Sequence, residues 1–395
     1  MYSLNLLIRK FIFYLIVIGF LFPMGYANYY PTYKKVQAMY IGGLLIIILL
    51  ICFYRILQKR LKIDRSGLFL IFYSLTLLLI TLWKQGSINQ GFQKIFVIPC
   101  ICLIFADYLQ RNPEIVISTL TNVLLILLFL NIIVFNQLLF PQLFLVDNHI
   151  TFLGHVQVVS EIGLLAVFVG YLNCRYFDTK FKGCILILLA LCNMIYVETS
   201  ASYIAIFELI IFVVLGKNLN FRKIICKSLP YIILILIIVS LFLINIKIDS
   251  NTLAWDKFLN GRLSIWNKGI LFVKESLLFG YGAYGVKIQM FWSQWVNNGI
   301  GFNYAHNTVL QLLLDGGIAL TVIYTIMLLS YTRDTELVKY EKIKFYTSII
   351  MIIFVTVGLV ESLTEYNYFF IYLSILPYVP LLMEEKNESL KENNS

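Results

Sequence analysis

What most narrows the folds open to this chain is a stretch of some twenty apolar residues that recurs from end to end with few charges inside it. A run of that length crosses the hydrocarbon core of a bilayer as a helix, and in lipid a helix satisfies every backbone polar group within its own segment. Twelve runs are legible, at about 11–26, 37–57, 66–83, 92–109, 115–139, 156–174, 181–198, 200–216, 229–246, 305–330, 345–361 and 366–383. The composition agrees, with 60% hydrophobic and only 13% charged residues, where soluble domains carry roughly a quarter charged. The sequence therefore predicts an all-α, polytopic integral membrane protein with about 12 transmembrane helices. Residues 1–383 form a single transmembrane helical domain in this reading, and the polar stretch 384–395 is a disordered cytoplasmic tail.

Basic residues set the orientation. With the N-terminus inside, 21 of the 31 lysines and arginines fall in cytoplasmic segments, as the positive-inside bias requires. Both termini are then cytoplasmic. The same bias accounts for most of the net charge of +10, so no nucleic-acid partner is implied. At the N-terminus, Arg9-Lys10, an apolar run and Gly25-Tyr26-Ala27 are like a signal peptide, read here as an uncleaved signal anchor. The seven cysteines all lie in or beside runs, with no metal-ligand spacing beyond Cys100-x-Cys102. They read as small apolar fillers.

One connection is unlike the others. Residues 247–304 form a long extracytoplasmic loop, rich in aromatics and glycine, and a loop of that length in a compact helical protein is usually functional. Inside it, Ser264 to Glu275 places Ile265, Trp266, Gly269, Ile270 and Val273 on one helical face, with Asn267, Lys268 and Glu275 largely opposite. The pattern predicts a short amphipathic helix lying on the outer membrane surface. Arg262 stands at its start, where a guanidinium and unpaired backbone N–H groups would both meet an anion. The neighbouring Lys268 would add a second charge toward such an anion; Arg262 also reads as an ordinary loop cation.

His306 opens the run after the loop, at the water–membrane boundary. An imidazole there suits a general base, or it simply anchors a helix end. Gly280-Tyr-Gly-Ala-Tyr-Gly285 fits G-x-G-x-x-G but follows a surface helix rather than a strand, with no acidic residue about twenty positions on. Its glycines instead let the backbone turn and approach a substrate closely. Trp266, Tyr281, Tyr304 and their aromatic neighbours serve equally as sugar-stacking faces or as an interfacial belt. Among the acids, Glu198, Glu361 and Glu365 fall at outer ends of runs, where a charge is cheap. Asp315 and Glu208 lie inside runs at a cost of roughly 2.5–3.5 kcal/mol each, as salt-bridge members or proton relays. The loop's acids, Asp249, Asp256 and Glu275, are scattered, which argues against a metal site, and no cofactor is implied.

Taken in order, Gly261-Arg-Leu-Ser-Ile-Trp266, Phe279-Gly-Tyr-Gly282 and Ala305-His-Asn307 followed by Gly316-Gly317 resemble the O-antigen ligase/polymerase family of bacterial polysaccharide assembly, over residues 261–317. The resemblance implies a metal-independent glycosyltransferase acting on sugars carried by undecaprenyl pyrophosphate, with Arg262 as pyrophosphate clamp, His306 as base toward the acceptor hydroxyl and Asn307 positioning a substrate. Trp266, Lys268, Gly280, Tyr281, Gly282 and Tyr304 complete the expected substrate site. Two departures stand out. Residues 140–155 lack the arginine family members often carry and offer His149 and His155, of which His155 is the candidate substitute. The usual Ser-Arg pair near the eighth run reads Ser200-Ala201.

The expected function is polymerisation of undecaprenyl-pyrophosphate-linked oligosaccharide repeat units at the outer face of a bacterial plasma membrane, for a capsule, exopolysaccharide or O-antigen-type polymer. Membrane lipids are partners, and a chain-length regulator is a further candidate. The first alternative is a ligase passing the glycan to another acceptor. A lipid-linked oligosaccharide flippase or transporter is the alternative of another class, but it would line many runs with charge and would not need the 247–304 loop.

Overall fold

The computed structural model describes residues 2–28, 30–134, 150–177, 180–247, 259, 261–285 and 304–382. Among these, thirteen α-helices form, and each of the twelve expected runs falls on one of them: α1 Tyr2–Phe20, α2 Pro31–Leu57, α3 Arg65–Trp83, α4 Ile98–Leu109, α5 Pro113–Val134, α6 Val158–Tyr176, α7 Phe181–Tyr196, α8 Ser200–Leu215, α9 Leu219–Leu243, α11 Thr308–Glu336, α12 Glu341–Val357 and α13 Tyr368–Ile375. The thirteenth, α10 Arg262–Glu275, is the helix expected within the long loop. Six of them, α2, α3, α5, α6, α9 and α11, are long and apolar enough to cross a membrane, while α7, α8 and the α13 segment are shorter apolar helices. The chain is thus a multi-pass, all-α membrane protein, apart from a two-residue-per-strand hairpin, β1 Ile150–Thr151 with β2 Gly154–His155.

The boundaries depart from the sequence reading where polar residues sit inside a helix. α9 begins at Leu219 rather than near 229, because Asn218 caps it by accepting from the Asn220 and Phe221 amides and the helix then runs through Arg222, Lys223 and Lys227. A hydropathy window stops at those charges; a capped backbone does not.

Two compact units divide the chain, one comprising 1–63, 103–206 and 367–395, the other 64–102 and 207–366. In the first, α5, α6 and α7 pack together with α1 and α13. α6 and α7 approach so closely that a Cβ on Gly183 would stand 2.5 Å from the Gly170 carbonyl oxygen, the small-residue contact that apolar helices use where lipid gives them no hydrophobic reason to associate. Buried Asn131 and Asn193 bond each other at 2.8 Å, and Asn131 also accepts the Leu153 amide at 3.0 Å.

In the second unit α11 packs against α3, α9 and α10, and α9 against α12. α11 is two helical segments rather than one. Gly317 has φ 64° and ψ −159°, which ends the first segment and leaves carbonyls without their intrahelical partners. The turn after α10 supplies those partners: the Tyr281 and Gly282 amides donate to the Leu314 and Asp315 carbonyls at 2.9 Å each. In return, Ile318 and Ala319 donate to the Leu277 and Leu278 carbonyls at 2.9 and 3.1 Å.

Candidate functional site

Asn307 caps α11, its Oδ1 accepting from the Leu310 amide at 2.9 Å, which is why the residue before it stands at the very mouth of the helix. That residue, His306, adopts φ +48°, a left-handed conformation that a side chain with a Cβ seldom takes and that persists only where the surroundings enforce it. The surroundings here are dense. Trp266, fully buried, donates its indole N–H to the Ala305 carbonyl at 3.0 Å, and the Ala305 amide donates to Gln311 Oε1 at 2.9 Å. The Tyr304 ring lies 4.2 Å from the imidazole between centroids.

The segment after α12 closes over this turn. Thr308 Oγ1 donates to the Glu361 carbonyl at 2.9 Å and accepts the Leu363 amide at 3.1 Å, while the Thr308 amide donates to the Gly358 carbonyl. These bonds bring the Glu361 carboxylate to the site's centre, only 1% exposed. One of its oxygens meets His306 Nδ1 at 3.1 Å and the other forms a close ion pair with Arg262 Nη2. Arg262, 2% exposed, is held at the first turn of α10 behind Gly261, whose φ of 78° starts the helix. Its Nε and Nη1 are buried and have no hydrogen-bond partner among the described residues. Burying the Nε and Nη1 donors of a guanidinium without acceptors is costly.

A second buried charge cluster adjoins the first. Gln311 Nε2 donates to Asp315 Oδ1 at 3.0 Å, and Asp315 Oδ2 meets Lys94 Nζ at 2.7 Å. Lys94 comes from a π turn, Gln93–Val97, at the head of α4 and also pairs closely with Glu365, which accepts from the Tyr284 hydroxyl at 3.0 Å. Glu365 and Tyr284 lie between the helices read as spans. Burial raises the Glu365 carboxyl above its ordinary value against the pull of Lys94, and the negative Glu365, with burial second, holds the Tyr284 hydroxyl well above its own.

Of the residues expected at the site, the structure brings Arg262, His306, Tyr304, Trp266 and Asn307 together. It gives several of them work that differs from the expectation. Trp266 has no exposed face on which a sugar would stack; it holds the His306 turn. Asn307 is fully buried, and besides capping α11 it accepts from Ser240 Oγ and donates to the Leu359 carbonyl at 3.0 Å each. The backbone of Gly280, Tyr281 and Gly282 is engaged with the break in α11, and the Tyr281 hydroxyl donates to the Phe272 carbonyl at 2.8 Å. Lys268 points from the exposed side of α10, whose apolar face packs on α11 rather than lying free for a membrane surface. His155 belongs to the first unit, where its Nδ1 faces the Gln157 amide at 3.5 Å. His149, the remaining histidine, and most of the long loop, including Trp255, Trp292 and Trp295, lie outside the described residues.

Sequence reasoning misses Glu361, Glu365 and Lys94 as members of the site. Asp315 stands out in the sequence as a costly charge, and its partner proves to be Lys94. Hydropathy assigns Glu361 and Glu365 to solvated helix ends, yet the structure buries both.

No curated protein matches the chain. Residues 185–325, from α7 into the second half of α11, match the family model described as O-Antigen ligase, a stretch that holds Arg262, the 280–282 turn, His306 and Asp315 but stops short of Glu361. Over that stretch the chain is similar to the O-antigen ligase family model, consistent with the resemblance of its 261–317 motifs to the O-antigen ligase/polymerase family.

Proposed function

We propose that the protein joins lipid-pyrophosphate-linked oligosaccharide repeat units into a polymer at the outer face of the plasma membrane. The family match carries a glycosyl-transferring function of the ligase/polymerase type; the arrangement around Glu361 supports the chemistry. With Nδ1–H of His306 directed at Glu361, the imidazole presents Nε2 as the basic nitrogen. Nε2 takes the proton of the acceptor hydroxyl as its oxygen bonds to the donor's anomeric carbon. The anomeric carbon–phosphate oxygen bond breaks, and the lipid pyrophosphate leaves with the bonding electrons. Arg262, sharing Glu361 through Nη2, directs Nε and Nη1 to the charge that grows on the departing pyrophosphate. Glu361 is a positioning residue that keeps the base and the clamp in register. Base catalysis of this kind is worth about a hundred- to ten-thousand-fold.

The observation that carries this reading is the buried Arg262, with two unpartnered donors among the described residues, on the carboxylate that also orients His306. His306→Asn is the sharpest test, because asparagine tolerates the left-handed backbone and so removes the imidazole with little cost to the turn. In the host strain, His306→Asn and Arg262→Ala at normal membrane levels are expected to abolish long chains and to accumulate single lipid-linked repeat units. Normal polymer in both variants would sink the site. A second reading, that of a ligase, is favoured by the description of the matched family; it predicts intact long lipid-linked chains with loss of acceptor-bound glycan.

A further inference from the structure

The end of the second unit remote from His306 carries a feature that the transfer reaction does not use. α9 starts there at Leu219, α11 ends there at Glu336 and α12 starts there at Glu341. His306 stands at the start of α11 and this end at its other terminus, beyond the break at Gly317, so with α11 crossing the bilayer the two lie at opposite membrane faces. The three helix ends enclose a groove of about 890 Å³, counting its open mouth, lined by Lys223, Cys226, Lys227, Glu336, Lys339, Glu341 and Lys344.

The charge in this groove is unbalanced. Four lysines face two carboxylates, and Glu341 is committed elsewhere, to Arg222 Nε at 2.9 Å. Lys344 stands in the first turn of α12 and Lys223 just past the first turn of α9, near the positive ends of those helices, where a cation is disfavoured and an anion is welcome. The apolar floor is Cys226, packed with Phe345 and Ile349. Beside the groove the helices expose large apolar side chains, among them Leu219, Ile224, Tyr231 and Leu337. A ligand with a phosphate at the lysines and hydrocarbon along these neighbours satisfies both features at once, whereas a soluble phosphate uses only the first.

We propose that this groove binds the phosphate headgroup of an anionic membrane lipid, in the leaflet opposite the one that faces His306. Lysines near a membrane surface each strengthen attraction to anionic lipid several-fold, so removing three should weaken retention by about a hundred-fold.

The full-length protein in detergent, offered equal amounts of phosphatidylglycerol and phosphatidylcholine, tests this by native mass spectrometry. Preferential retention of phosphatidylglycerol is expected, lost in Lys223→Gln/Lys227→Gln/Lys344→Gln and restored in the corresponding triple arginine variant, which keeps the charge. Lys34→Gln/Lys35→Gln, a basic pair at the start of α2, should retain lipid like the wild type. Equal retention of the two lipids, or unchanged preference in the triple glutamine variant, would overturn the proposal. So would displacement of the lipid by millimolar inorganic phosphate, which would make the groove a site for a soluble anion. The reading of the transfer site stands or falls separately, because neither Arg262 nor His306 is touched.

Discussion

Glu361 does two things with one carboxylate: it neutralises a buried guanidinium and it fixes the face of an imidazole. Taking away its charge leaves Arg262 buried without a counterion, and breaking a buried pair from one side costs about 3–5 kcal/mol. Glu361→Gln keeps the shape and one acceptor, so the protein is expected to reach the membrane with a lowered thermal midpoint. Glycosyl transfer by the purified protein should drop, by no more than the roughly hundred- to ten-thousand-fold that a positioned base supplies. Wild-type turnover in Glu361→Gln would mean that the Nδ1 contact orients nothing. At this scale the sequence is legible where the chemistry is local. Arg262 and His306 stand in short ordered motifs, and a guanidinium at a helix start or an imidazole at a helix mouth announces itself. Their partner follows His306 by 55 positions, in a segment that hydropathy assigns to a solvated helix end. Hydrogen bonds of Asn307 and Thr308 with the 358–363 segment fold it inward, and no one-dimensional pattern records them.

At the scale of elements, the double glycine in α11 and the G-x-G turn after α10 are two halves of one device. The first segment of α11 ends at Gly317, and the 277–282 turn inserts its own backbone to satisfy the amides and carbonyls set free. Gly317 is required twice over, by its φ of 64° and because a Cβ there would overlap backbone atoms of Leu278 and Phe279. Gly317→Ala is therefore expected to destabilise the protein by more than about 2 kcal/mol, combining left-handed strain with the overlap. Gly43, inside α2, would have nothing within 4 Å of an added Cβ, and Gly43→Ala should be neutral or raise stability by up to about 1 kcal/mol. Thermal unfolding in detergent distinguishes the two; a Gly317→Ala midpoint equal to that of Gly43→Ala would refute the clasp. Both glycine motifs are visible in the sequence, and the apolar periodicity of α10 correctly gives its buried face. Their pairing is not visible, because backbone-to-backbone bonds leave no trace in side-chain identity. For the same reason the G-x-G reads from sequence as a substrate contact rather than as the partner of a broken helix.

For the molecule as a whole, hydropathy carries most of the information. Every expected run lies on a helix, because apolar length is a property of the sequence alone. The errors fall where a cap or a charge, rather than hydropathy, sets a boundary, as at α9. Orientation follows from a weaker signal, the bias of lysine and arginine, and it decides which side of the membrane the site serves. Two exposed positions of the second unit read it out: Lys268 on α10, and Lys342 in the first turn of α12. In a background with the seven native cysteines replaced, Lys268→Cys is expected to react with a membrane-impermeant maleimide on intact cells. Lys342→Cys should react only after the membrane is opened. The reverse pattern would put Arg262 and His306 in the cytoplasm, away from repeat units displayed on the outer leaflet, and would remove the polymerase reading whatever the variants at His306 do. Labelling of both positions on intact cells would mean that the chain does not cross an odd number of times between α10 and α12, against the single crossing expected for α11.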